Sequence, residues 1–594
     1  MKRLSWILAG VAALVASFFG FFFFRDNFST HYPLKVLSAE AFRAFEIPWW
    51  NFHDAGGQPL AGNPNALTFY PDNVLYLFLP AHVAFNLHFL LHLAVGWVAM
   101  RALTRSRFAA TVYLLSGVVI SSTAFYNLVV YAAMIPLALY ATERRSARLL
   151  GVAFGLMLLS AEPVMLLGAV LSVAIVGFGR MPVRAYAMAV FLAVAIGSPQ
   201  LLAYLDIAAE VERAAGISAR TVLNTSLTPM RVAEIFVWPF TGFLNDAGGL
   251  RETLFSTLFL GAIALPALWR RSRYTAVAAM MLFLAMGRFN PLVATAVEHA
   301  GALRIMRFPE KFALPLVVAL CVLIARFFAG TRYKTLWAAI TLVPLAYTTV
   351  RALPVDRFAP YDVASAPQHR AYVTSNVAAG ALPARAEYRL RAQHGEPLFG
   401  AIAGTRYVLN RSPDRMHSLL SRIAEERFRA GNRRYFDVVM QPPAVFLRRV
   451  ESATSIHETV ARFERGADVA PMPFVSAPAR VMRYGEDGQR IEIEVETRGA
   501  ALLMVNQSYF AAWVARLDGE ELRTIPVNVD RLGVMVPRSG VLVLTFGRHR
   551  AAVVIAWIVS SLLLLAALFA KRVEVLDGRA GEIERPADED GPLA

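Results

Sequence analysis

The chain has 594 residues, of which 57% are apolar and only 17% charged, with a net charge of +16 and a mean hydropathy of +0.47. These totals exclude an ordinary soluble protein and indicate an integral membrane protein, because the apolar residues come in runs long enough to cross a bilayer. The one cysteine, Cys321, excludes disulfides and cysteine metal clusters within the chain, and the arginines gather in short clusters between apolar runs, which fits topology and anionic lipids rather than nucleic acid.

In chain order, Met1-Lys2-Arg3 precedes an apolar run at 4–24 that ends in four phenylalanines without a small-residue cleavage site, so it reads as a retained anchor. Further runs at 80–100, 108–124, 126–141, 148–161, 163–179, 185–205, 252–269, 274–287, 312–329, 335–350 and 551–570 bring the predicted spans to about twelve. Basic clusters, from Lys2/Arg3 and Arg101/Arg105/Arg107 to Arg326/Arg332/Lys334 and Lys571/Arg572, fall at alternate junctions, which puts both termini in the cytoplasm. The expected architecture is a polytopic α-helical membrane domain over 1–350, with outer loops at 25–79, 206–251 and 288–311. A soluble outer-face domain over 351–550 follows, then the last span and a cytoplasmic tail at 571–594. In the soluble domain Ser418 to Ala430 reads as a helix within mixed α/β structure, and alternating segments over about 480–548 read as a β-sandwich.

Chemistry concentrates on the outer side. Asp26 follows the first span directly, where a carboxylate at the edge of hydrocarbon either ends a helix or takes a proton from an acceptor hydroxyl. The same loop offers His31, Glu46, Asp54 and Asp72 as acid–base candidates, with Lys35, Trp50, Asn51, Asn63 and Tyr70 as binding candidates, and its Gly56-Gly57 pair permits close backbone approach. Arg304, Arg307, Glu310 and Lys311 stand just before the span at 312, and cations on the outer side run against the topological trend and suit a phosphate clamp. Glu162, at a turn between two apolar runs, is an ionisable group that needs a partner or water. His88 and His92 have the spacing of a helical metal pair, with His82 nearby, but no acidic third ligand is adjacent, so no metal ligands are predicted; a divalent metal lacks support in the sequence. Phosphate-loop and peptidase motifs are absent, so no cofactor is predicted.

Several segments in combination resemble one family. Asp26…His31-Tyr32…Pro48-Trp49-Trp50-Asn51…Gly56-Gly57-Gln58-Pro59…Asn63-Pro64…Phe69-Tyr70-Pro71, then Arg307-Phe308-Pro309-Glu310-Lys311-Phe312, Gly404-Thr405-Arg406-Tyr407 and Asn506-Gln507-Ser508-Tyr509 look like the bacterial YfhO-like membrane proteins of the GT-C glycosyltransferase class. The chain departs from that pattern at His31, where glutamine is common, and at Glu162, where a histidine is. The resemblance implies a bacterial inner-membrane enzyme whose large domain is periplasmic or extracellular. Its donor would be a polyprenyl-phosphate sugar and its acceptor an envelope glycan, lipid or protein, with Asp26 as catalytic base and Arg307, Lys311 and Arg304 as donor-phosphate contacts. Two other readings stand beside it: a transporter or flippase of lipid-linked saccharides, which calls for charges at the membrane midplane, and a non-enzymatic envelope assembly factor.

Overall fold

Helices form here where the sequence supplies their ends: Ser146 accepts the Leu149 N–H, and Pro163 takes a first position where its missing N–H costs nothing. A computed structural model describes residues 20–22, 26–54, 56–212, 218–237, 254–305, 307–353, 355–357, 370–371, 401, 406–407, 416–431, 443–447, 450–451, 471–472 and 476–576. A π-helical turn, Asn27–His31, leads into α1 (Tyr32–Arg43). The bundle comprises α2 (Ala81–Thr104), α3 (Leu128–Glu143), α4 (Ala147–Ser160), α5 (Pro163–Gly177), α6 (Val183–Leu205), α7 (Arg273–Ala285), α8 (Ala313–Gly330) and α9 (Lys334–Ala352). Later come α10 (Leu419–Arg429) and α11 (Arg550–Leu576), the last tied to α6 by the Ser560 hydroxyl, which donates to the Ile196 carbonyl at 2.7 Å.

Among the described residues, four helices are long and apolar enough to cross a bilayer: Ala81–Thr104, Val183–Leu205, Pro309–Gly330 and Arg550–Ala567. Four shorter apolar helices accompany them. The expected set of spans needs three corrections. The run at 252–269 is not a spanning helix, since its described part is non-helical apart from the single turn Ala264–Ala267. Phe255, Leu258, Leu260 and Ile263 are buried in protein, and the backbone finds partners elsewhere: Leu254 and Phe255 donate to Glu310, Leu258 donates to Glu234, and Phe259 accepts from Gly117. Irregular backbone at membrane depth persists only in such protein surroundings, and hydropathy does not separate protein from lipid. The run at 108–124 divides into Arg107–Leu115 and Gly117–Ser122, and a Cβ on Gly117 would lie 2.7 Å from the Thr257 carbonyl. The end of the first run is extended, with Gly20–Phe22 antiparallel to Val355–Arg357 and the Asn86 amide bonding both Gly20 and Phe22. The start of that run, the tail beyond 576 and most of 358–442, including Gly404 and Thr405, lie outside the described residues.

The strands are β1 (Trp50–Asn51) and β2 (Gln58–Pro59) in the outer loop, then β3 (Ala444–Phe446), β4 (Ala479–Asp487), β5 (Arg490–Thr497), β6 (Ala501–Ser508), β7 (Trp513–Leu517), β8 (Glu520–Leu522), β9 (Thr524–Val527), β10 (Arg531–Val536) and β11 (Gly540–Phe546). They form an antiparallel sheet of order β4-β5-β11-β7-β8 and a second of order β9-β10-β6-β3, with Ile491, Ile493, Val495, Leu503, Val505 and Leu544 in the shared core. Period-two burial along β5 is the pattern expected of a half-buried strand.

The C-terminal end of α6 meets this sandwich. Asp206 pairs with His549 ahead of the last span, and the Glu210 carboxylate accepts the Ala511 N–H at 2.9 Å. Burial raises the Glu210 carboxyl to about 7, against the opposing influence of the Ala511 bond. The native state then holds this proton more tightly than the unfolded chain, so the stabilisation is complete below the ordinary carboxylate value of 4.5 and is lost as pH rises through about 7. Melting temperature is therefore expected to fall over that interval, and Glu210→Gln is expected to flatten the dependence, as thermal unfolding in lipid nanodiscs at stepped pH will measure.

Candidate active site

Asp26 stands immediately before the π-helical turn, which is closed by the Tyr32 N–H donating to the Asn27 carbonyl. Asn27 pins the turn to the approach to α3, donating its N–H to the Ala124 carbonyl at 3.3 Å and its side-chain amide to the Thr123 carbonyl at 2.7 Å. Asn27 is buried while Asp26 is exposed, and the Asp26 carboxylate has no hydrogen bond or ion pair among the described residues. His31 closes the turn, buried. A carbonyl only accepts, so the 3.0 Å contact with the Asn65 oxygen fixes the hydrogen on Nδ1 and leaves the lone pair on Nε2. Burial pulls the imidazole down to about 4 in spite of the nearby Asp26 charge, so the ring is neutral at neutral pH.

The structure sorts the other loop candidates into two anchors. At the first, Lys35 on α1 donates to the Asn73 side chain at 2.6 Å and the Leu67 carbonyl at 3.2 Å, fully buried. Burial lowers its ammonium to about 7, with the Asp72 charge acting the other way. Burial also pushes the Asp72 carboxyl up, but His88, His92 and Lys35 together hold it below its usual value. The acid that sequence reasoning missed beside His88 and His92 is thus Asp72, carried in by the loop, and donor atoms of the three lie within 4.8 Å of one another. That set has metal-ligand chemistry, yet both nitrogens of each ring are already committed. His88 donates from Nε2 to the Tyr126 carbonyl at 2.8 Å and meets Asp72 through Nδ1. His92 donates from Nδ1 to the His88 carbonyl at 2.7 Å and accepts the Tyr70 hydroxyl on Nε2 at 2.7 Å. Ligating a cation through either ring would break one of these bonds, so Tyr70, Lys35 and Asp72 act here as the clasp between loop and bundle.

At the second, Trp50 and Asp54, with Asn51 beside Trp50 in β1, meet residues of the C-terminal domain. Trp50 packs 4.9 Å from Trp513 and 4.5 Å from Phe546 by ring centroids and donates to Gln507 at 3.0 Å. Asp54 accepts from Gln58 at 2.7 Å and faces His417 at 3.0 Å, both fully buried. A Cβ on Gly57 would sit 2.4 Å from the Trp50 ring nitrogen, and φ is +101° there, so glycine is required by contact and conformation alike. Asn51 accepts the His53 N–H and Asn63 the Asn65 N–H, both as local turn bonds.

The cationic segment divides as well. Arg304 donates to the Glu298 carbonyl at 2.8 Å. Glu310, one of the other site candidates, is buried against Arg231 at 3.0 Å and takes the Leu254 N–H, which makes it a brace for the non-helical apolar segment. Lys311 instead forms a buried pair with Glu162, 2.7 Å apart. Phe308 lies between the two remaining cations, with Arg307 4.3 Å and Lys311 5.5 Å from its ring centroid, and holds φ at +73°. A bulky residue in that region is strained by roughly 1–3 kcal/mol, a conformation that clusters at functional sites.

These contacts close on themselves. The Asp26 turn bonds Thr123 and Ala124 ahead of α3; Ser121 bonds Thr257 in the apolar segment, and Glu310 braces that segment. Lys311 then holds Glu162, whose N–H donates to the Tyr131 hydroxyl in the first turn of α3 at 3.0 Å. The turn that carries Asp26 is therefore tied, through Asn27, to the segment leading into α3, and the Lys311–Glu162 pair to the first turn of the same helix.

No family model and no curated protein sequence matches the chain. Solved structures are similar to it in backbone. Arabinofuranosyltransferase AftD from Mycobacteria is similar at a TM-score of 0.44 and 13% identity over 92% of this chain, which spans 57% of the AftD chain. ArnT from Cupriavidus metallidurans, solved bound to undecaprenyl phosphate, is similar at a TM-score of 0.34 and 15% identity over 72% of this chain and 73% of its own.

Proposed function

We propose that the chain is a membrane glycosyltransferase that moves a sugar from a polyprenyl-phosphate donor to a hydroxyl of an envelope acceptor. The observation that supports this reading best is the closed circuit of contacts, in which the turn that carries an uncommitted carboxylate is tied to the segment leading into α3 and the pair that holds a buried lysine to the first turn of the same helix. Asp26 takes the proton of the acceptor hydroxyl, whose oxygen attacks the anomeric carbon, and the lipid phosphate leaves toward Lys311 and Arg307. Lys311 has three donor hydrogens, so it can hold a phosphate oxygen while keeping Glu162. A donor held in the bilayer needs no nucleotide site, in keeping with the absent phosphate-loop motif. The test is reconstitution of the purified chain in liposomes with undecaprenyl-phosphate-linked hexose or pentose and host envelope membranes; release of undecaprenyl phosphate is expected, and its absence across the donors rejects the reading.

One observation favours transport of a lipid-linked saccharide instead: Asp72, His88 and His92 are ionisable groups packed inside the bundle, a placement that marks proton relays. That reading requires saccharide movement that survives loss of Asp26 and responds to a pH gradient across the same liposomes.

A further inference from the structure

The π-helical turn arranges its residues as an α-helical turn would not. Five residues carry an α-helix through roughly 500°, onto the opposite flank, whereas the wider π turn comes back roughly 50° past its starting direction. With Asp26 in helical backbone conformation at the head of Asn27–His31, His31 is stacked on the Asp26 side of the turn. Its ring is set by Asn65, so Nε2 alone carries a lone pair. The charged and titratable groups around it are Asp26 on the turn, Lys35 on α1 and His88 on α2, with the Tyr126 ring 6.1 Å away before α3. Asp26 is the sole anion of that group. A carboxylate and an imidazole lone pair thus belong to the same side of the turn, near enough for the Asp26 charge to act on the ring. Two acceptors side by side are complementary to a ligand that brings its own hydrogen, and an alcohol is the simplest such group.

We propose that His31 and Asp26 act as one acid–base pair, with His31 Nε2 contacting the same acceptor hydroxyl as the Asp26 carboxylate. This rests on the glycosyltransferase reading above. In the transfer the acceptor O–H bond breaks and its electron pair stays on oxygen, which bonds to the anomeric carbon. The bond from that carbon to the phosphate oxygen breaks, its pair leaving with the lipid phosphate, and the proton finishes between the carboxylate and Nε2. Each member must be unprotonated for the reaction to start, so the pair sets the acid limb of the rate.

The experiment is the pH profile of undecaprenyl phosphate release by the full chain in liposomes, with undecaprenyl-phosphate-linked hexose or pentose as donor and host envelope membranes as acceptor. For the natural chain the logarithm of the rate is expected to rise with a slope of two at low pH. His31→Gln keeps a donor for Asn65 but does not titrate; it is expected to be about 100-fold slower, with a slope of one. His31→Ala is expected to recover part of its rate when imidazole is added. An active natural chain whose slope His31→Gln leaves unchanged overturns the pair while the glycosyltransferase reading stands. A folded natural chain that releases no undecaprenyl phosphate overturns both. If His31→Gln does not accumulate in membranes, His31→Asn and the imidazole rescue of His31→Ala decide the question by the same slopes and rates.

Discussion

Asp26→Asn is expected to lower sugar transfer by about 100- to 10,000-fold, the usual worth of a positioned general base, and to leave the folded protein unchanged. The two halves of that expectation have separate causes. Asp26 is exposed and its carboxylate supports no other described group, so losing the charge removes no hydrogen bond or ion pair from the fold. The turn that carries it is held by Asn27 through the Thr123 and Ala124 carbonyls, and these bonds do not involve Asp26. The amide in asparagine keeps the size of the side chain but has no basic oxygen to take a proton. Release of undecaprenyl phosphate, measured beside the melting temperature of the same preparation, checks both halves; a variant that is folded and fully active removes Asp26 from the chemistry.

The long helices were legible because their signal is local. Ala81–Thr104, Val183–Leu205 and the last span are apolar over enough residues for length alone to identify them, and the strand Arg490–Thr497 alternates as a half-buried strand must. The run at 252–269 misled because its residues are as apolar as a span's while their surroundings are protein, a property of Glu310, Glu234 and Gly117 far away in sequence. The site was legible as a region and not as an arrangement. Glu310 and Lys311 are adjacent, yet they turn to unrelated partners, Arg231 and Glu162, because successive side chains of the 3-10 turn Pro309–Phe312 point about 120° apart. Asp72 completes the cluster at His88 only when the loop folds back on α2, a contact that no spacing in α2 announces. The π-helical turn at Asn27–His31 was unreadable for the same reason: its extra residue is accommodated by Ala124 and Thr123, which lie beyond any local pattern.

Lys311→Met is expected to destabilise the protein by about 3–5 kcal/mol, because it leaves Glu162 as an unpaired charge in a buried position. The two side chains retain only 9% and 10% of their exposure, so water does little to screen the loss. Adding Glu162→Leu to the first change removes the orphan charge, and the double variant is expected to recover most of that stability, since a buried ion pair replaced by apolar groups is often close to neutral. Activity is expected to follow a different course. If Lys311 stabilises the departing phosphate, the double variant stays inactive after its melting temperature has returned, since methionine offers the oxyanion no hydrogen. If Lys311 serves only to hold Glu162 at the head of α5, activity returns together with stability. Thermal unfolding and undecaprenyl phosphate release, measured on the single variants and the double variant, therefore separate a lysine that braces two helices from one that also acts on the leaving group, and recovery of both quantities together would remove Lys311 from the proposed mechanism.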